Sequence, residues 1–205
     1  MRMSRRIHLL ACLGFLLTIL EFAVIDVAFA CACCSERGTR IDGRFKLDDA
    51  TRHQIGRMMF AKDASLTSQL DDDASSPMLP GSSSSYDLTV TRAADVMTFA
   101  FRDPKGRSGR LSFTMPARVW IFTVDPFGDA KDEGLGPSLY KEWRLTVPVK
   151  ADGIFRRARP PGHQAILIFH GRGRGCTEAE HFTDWSLVLR GPAGAVTFYG
   201  ALEKL

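Results

Sequence analysis

Three cysteines crowd into Cys31-Ala32-Cys33-Cys34, and one more, Cys176, stands far downstream between His170 and His181. Thiolates bind soft metals such as Cu(I) and zinc, and imidazole nitrogens complete such sites. Cys31, Cys33, Cys34, Cys176, His170 and His181 are therefore the candidate metal ligands, with copper or zinc as the alternative to no cofactor at all. The spacing fits zinc poorly, because adjacent Cys33 and Cys34 project in different directions and the short gap between paired zinc ligands is missing. In an oxidising compartment the same thiols pose a disulfide question first. A Cys33 to Cys34 ring would be strained, which leaves Cys176 bonded to Cys33 or to Cys34. Such a staple spans more than a hundred residues, and on chain-entropy reasoning it contributes about 4 to 5 kcal/mol.

A second candidate follows the apolar run Ala165 to Phe169. Arg172, Gly173, Arg174, Gly175 and Thr177 join two guanidinium groups to a glycine loop, and Thr177-Glu178-Ala179-Glu180 has the form of a helix-capping box. Free amides at a helix start beside arginines can hold an anion such as phosphate, sulfate or a carboxylate. The third-glycine spacing of a dinucleotide site and the lysine of a phosphate loop are both absent, so the plain alternative is a surface turn with solvated arginines. Catalytic motifs are lacking: no serine sits in a Gly-x-Ser-x-Gly elbow, the acid pairs Asp48-Asp49 and Asp132-Glu133 fall in loop-like stretches, and His53 and His163 stand alone. An envelope hydrolase is a second alternative that would need acid and base groups meeting in a pocket, with His170 or His181 among them.

The compartment is read from the N-terminus. Basic Arg2, Arg5 and Arg6, an apolar run from Leu9 to Leu20 and the small-residue site Ala28-Phe29-Ala30 make residues 1–30 a secretory signal. Residues 31–205 then form one domain, long enough for a sizeable core. The expected location is the periplasm or the exterior, with a lipid anchor at Cys31 or an uncleaved signal as the routes to a membrane. Without the signal the chain keeps 24 basic and 21 acidic side chains, too mild a balance to imply nucleic acid.

The elements that must position these groups read as strands. Leu88 and Val90, then Met97, Phe99 and Phe101, then Leu111, Phe113 and Met115 alternate with polar residues, and Asp103-Pro104-Lys105-Gly106 is a tight turn. Val119 to Val124 is apolar on both faces, which predicts a strand in the middle of a wall. Trp143, Leu145 and Val147 alternate up to Pro148, where a strand must finish or lie at an edge. Trp185, Leu187 and Leu189 and then Val196, Phe198 and Leu202 flank Gly191-Pro192-Ala193-Gly194, a hairpin. Nearer the start, Ile41, Phe45 and Leu47 predict a strand with a turn or bulge near Asp42-Gly43, and Asp48 or Asp49 can cap a short helix through Ile55. The Ser- and Asp-rich stretch near 64–86 reads as a loop. Trp120, Trp143 and Trp185 lie in apolar patterns and are expected as core anchors.

These patterns predict an all-β fold: an antiparallel sandwich or barrel of roughly eight to ten strands with at most one or two short helices. The functional expectation is an exported β-rich module that binds a small ligand or an envelope or extracellular partner without catalysis.

Overall fold

The computed structural model describes residues 35–68, 79, 81–128, 137–158, 163–176, 178–192 and 194–204. The signal at 1–30, the thiols of Cys31, Cys33 and Cys34, much of the Ser- and Asp-rich stretch (69–78 and 80) and Thr177 lie outside the described residues.

The fold is all-β. Its strands are β1 (Arg40–Lys46), β2 (Met59–Phe60), β3 (Asp63–Ser68), β4 (Ser85–Ala93), β5 (Val96–Arg102), β6 (Ser108–Thr114), β7 (Arg118–Val124), β8 (Leu139–Pro148), β9 (Lys150–Gly153), β10 (Gln164–Gly173), β11 (Phe182–Gly191) and β12 (Gly194–Glu203). They form one open antiparallel sheet in the order β1-β7-β8-β10-β11-β12-β3-β4-β5-β6-β9, with β2 pairing separately with β12. Among the described residues one α-helix, α1 (Asp49–Arg57), begins where the Asp48 carboxylate accepts the Thr51 amide at 2.8 Å, and it buries Thr51 and Ile55.

The period-two burial expected from the sequence runs through β5, β6, β8, β10 and β11. Side chains from distant strands share one core. Phe99 on β5 meets Trp185 on β11 with ring centroids 5.7 Å apart, and Phe101 meets Phe198 on β12 at 4.4 Å. Strands β5 and β11 are not neighbours in the sheet. The sheet therefore folds over on itself in a sandwich-like manner, with Phe60 wedged between Phe99, Phe169 and Trp185. Strand β8 leads almost directly into β9, joining the middle of one half to the far end of the other.

Several local expectations change. Among the described residues there are twelve strands against the eight to ten anticipated, partly because Asp63–Ser68 is strand β3 although its composition suggests a loop. Pairing with β12 supplies there the backbone partners that the polar side chains do not signal. Strand β1 pairs with β7 in unbroken register, so no bulge occurs at Asp42-Gly43. Strand β7 is paired on both sides, by β1 and β8, as expected of a strand that is not an edge, but only one of its faces is covered, with Val119 buried and Trp120 42% exposed. Trp143 and Trp185 are core anchors as expected, and Trp120 is not.

Candidate functional site

Two polar clusters grow from adjacent residues of β8. Alternation turns Leu139, Lys141, Trp143, Leu145 and Val147 inward and leaves Tyr140, Glu142 and Arg144 on the outer face.

On the outer face, register brings together side chains far apart in sequence. His170 on β10 lies opposite Glu142 on β8 and Asp184 on β11, and diagonally from Tyr140 and Ser186. The Tyr140 hydroxyl donates to Glu142 Oε1 at 2.6 Å and lies 3.1 Å from His170 Nδ1, while His170 Nε2 lies 2.9 Å from Ser186 Oγ. Arg144 Nε donates to Glu142 Oε2 at 2.6 Å. Counting hydrogens fixes the direction of the chain. A phenol has one hydrogen and an ionised carboxylate has none to give, so the Tyr140 hydrogen is used on Glu142. His170 Nδ1–H must then donate to the Tyr140 oxygen. A neutral imidazole so arranged has a bare Nε2, which accepts the Ser186 O–H.

Electrostatics agree with that assignment. Burial holds His170 below the ordinary imidazole value, partly opposed by Glu142, which keeps the ring neutral at pH 7. Burial alone would raise the Glu142 carboxyl, but bonds from Tyr140 and Arg144 outweigh it and hold the group ionised. Burial and the Glu142 charge push the Tyr140 hydroxyl upward, so it stays a donor.

The same face extends over β7 and β1. Trp120 and Phe122 lie in register with Arg144 and Glu142, and beyond them with Arg44 and Asp42. The Trp120 indole donates to Asp42 Oδ1 at 2.8 Å, and the Arg40 guanidinium sits 5.6 Å from the Phe122 ring centre. Over β1, β7, β8 and β10 this face carries six basic side chains (Arg40, Arg44, Lys46, Arg118, Arg144, Arg172) against two carboxylates. Both carboxylates already have arginine partners.

The inward cluster is closed. Lys141, 4% exposed, donates to the Cys176 carbonyl oxygen and to His181 Nδ1, the latter at 3.0 Å. That fixes the His181 hydrogen on Nε2, which faces Glu178 Oε2 at 3.5 Å. Burial pulls the Lys141 amine down to about 8, partly offset by Glu178, and burial together with Lys141 lowers His181. The His181 ring lies against Gly173, where an added Cβ would come within 2.3 Å of it.

The sequence-derived candidates are thus divided. His181 comes beside Cys176, whereas His170 stands on the opposite face of the sheet. Among the described residues no three His, Cys, Asp or Glu side chains gather to hold a metal. Lys141 occupies the His181 nitrogen that would face Cys176, and Cys176 itself is disulfide-bonded. In the anion candidate, Arg172 and Gly173 end β10, Arg174 and Gly175 follow it, and the anticipated helix is a single 3₁₀ turn, Ala179–His181, with no side-chain cap. The carboxylate of Glu178 turns to His181 instead. Tyr140, Lys141, Glu142 and Ser186 were not singled out by the sequence. For Lys141 a signal exists, since it keeps phase with Leu139, Trp143, Leu145 and Val147 in an inward-facing row.

Among the described residues no helix is long and apolar enough to cross a membrane. Family models, curated proteins and solved structures provide no match to this chain.

Proposed function

We propose that the protein is an exported binding module whose ligand face is the outer surface of β1, β7, β8 and β10, and that its ligand is an acidic polysaccharide. The observation that carries this reading is the excess of basic side chains on that face around the exposed Trp120 ring. Aromatic rings stack on the apolar faces of sugars, and arginine forks pair with carboxylate or sulfate groups. The indole of Trp120 is held in one orientation by Asp42, so little rotational freedom is lost on contact. Arg44, cross-strand from Trp120, supplies charge beside the ring. A disulfide from Cys176 to Cys33 or Cys34 would fasten the mature N-terminus to the segment beyond β10, in keeping with an oxidising compartment.

Calorimetry with polygalacturonate and heparin tests the proposal. Binding should weaken as salt rises, and Trp120→Ala combined with Arg44→Glu should lower affinity by about 100-fold, two losses of roughly 1 to 2 kcal/mol each. Equal binding of an acidic peptide or an oligonucleotide, or unchanged affinity in the double variant, would defeat the polysaccharide assignment.

A further inference from the structure

The chain Ser186–His170–Tyr140–Glu142 is ordered in the sense that a nucleophilic serine requires. Ser186 O–H points to a neutral imidazole nitrogen at 2.9 Å, and the opposite nitrogen is held by a phenol that is itself anchored on an ionised carboxylate. Arg144 anchors that carboxylate in turn. With Nε2 bare and the Ser186 hydroxyl donating to it, the chain runs toward proton removal from Ser186. We propose that Ser186 is a nucleophile for small carboxylic esters, with His170 as its base and Tyr140 and Glu142 as positioning residues.

The step balances without any further reactant than water. Ser186 Oγ adds to the ester carbonyl carbon while its hydrogen passes to His170 Nε2, and the carbonyl electron pair moves onto oxygen. Collapse of that adduct breaks the bond to the alcohol oxygen, which departs with the proton from Nε2 and leaves an acyl ester on Ser186. Water, deprotonated by the same nitrogen, releases the carboxylic acid and restores the serine. Backbone amides give little help to the oxyanion, because Ser186 lies inside the ladder between Ile168 and Tyr199. Arg144 lies in the same cross-strand row, opposite Ile168, and two of its five N–H groups hold Glu142, which leaves three for the developing charge. Tyr199, 46% exposed beside Ser186, offers a ring against which an aryl or acyl group can lie.

The test uses a fluorophosphonate, which reports a nucleophilic serine without needing the natural ester. Intact-mass analysis of the full exported chain should show one adduct, mapping to Ser186. Its rate should rise with pH as His170 loses its proton, at a midpoint below that of free imidazole. His170→Gln should slow labelling by at least about 100-fold. Tyr140→Phe, which preserves shape, should slow it by about 10-fold and move the midpoint upward, because Glu142 then acts on the imidazole directly. Absence of an adduct on Ser186, or equal labelling of a His170→Gln variant with an unchanged melting curve, would overturn the proposal. The label reads Ser186 whether or not the face binds polysaccharide, so the two readings fail separately.

Discussion

Lys141 and its neighbours Tyr140 and Glu142 are adjacent in sequence, yet they belong to opposite sides of one sheet and to clusters of opposite character. Inside, Lys141, His181 and Glu178 close on each other and on the Cys176 carbonyl. Outside, Tyr140, Glu142, His170 and Ser186 form a chain whose serine end is reached by solvent. Both clusters hold a neutral histidine whose pKa is lowered by burial. What differs is the neighbour at the free nitrogen. His181 Nδ1 accepts from an ammonium, which has no lone pair left to act with, whereas His170 Nε2 accepts from a hydroxyl whose oxygen keeps its lone pairs. The inner cluster fastens a chain segment, and the outer one is poised to react.

Cutting the inner cluster should cost far more stability than disturbing the outer one. Cys176→Ser removes the staple next to Lys141, and under oxidising conditions urea unfolding should show a loss of about 4 kcal/mol if the closed loop spans the chain as expected. An unchanged midpoint would break the idea that this segment is fastened. Gly171→Ala comes next. A Cβ there would lie 2.0 Å from the His181 carbonyl oxygen and 2.6 Å from the Phe182 Cα, so backbone must move. The expected loss is about 3 kcal/mol, and a variant as stable as the parent would mean that the His181 segment is not held against β10.

Acidification should have the smallest effect. Burial lowers both histidines in the folded protein, so the unfolded chain takes up protons first as the pH falls below about 6.5. Their contribution is present above that value and is lost as the pH drops through the folded values. The urea midpoint should therefore fall between pH 7 and pH 5, by less than either substitution produces. His181→Gln should remove more of that slope than His170→Gln if the inner cluster is the tighter one, and the reverse order would invert the comparison.

How much of this the sequence discloses depends on the range of the interaction. Period-two alternation is local, so β5, β6, β8, β11 and β12 can be read directly. Asp48 as a helix cap is equally local. Strand β3 is hidden because Ser65, Thr67 and Ser68 resemble a loop until β12 gives their backbone a partner. Trp120 departs from the expected core position because alternation reveals which residues share a face but not which face meets water. The relay depends on the register of β8, β10 and β11 across 46 residues, from Tyr140 to Ser186. Only His170 had a chemistry worth naming in advance, since an isolated serine or tyrosine in a strand carries no motif.

The end of the sheet has a consequence for solubility. Among the described residues β1 pairs with β7 on one side only, so a row of its backbone donors and acceptors is open to another chain. Ile41 and Phe45, both more than 40% exposed, would favour such an addition. Arg40, Arg44 and Lys46 alternate with them along the same strand. A second copy aligned in the same register would bring like charges together across the new seam, so β1 discourages edge-to-edge growth into fibres while keeping its arginines at the surface.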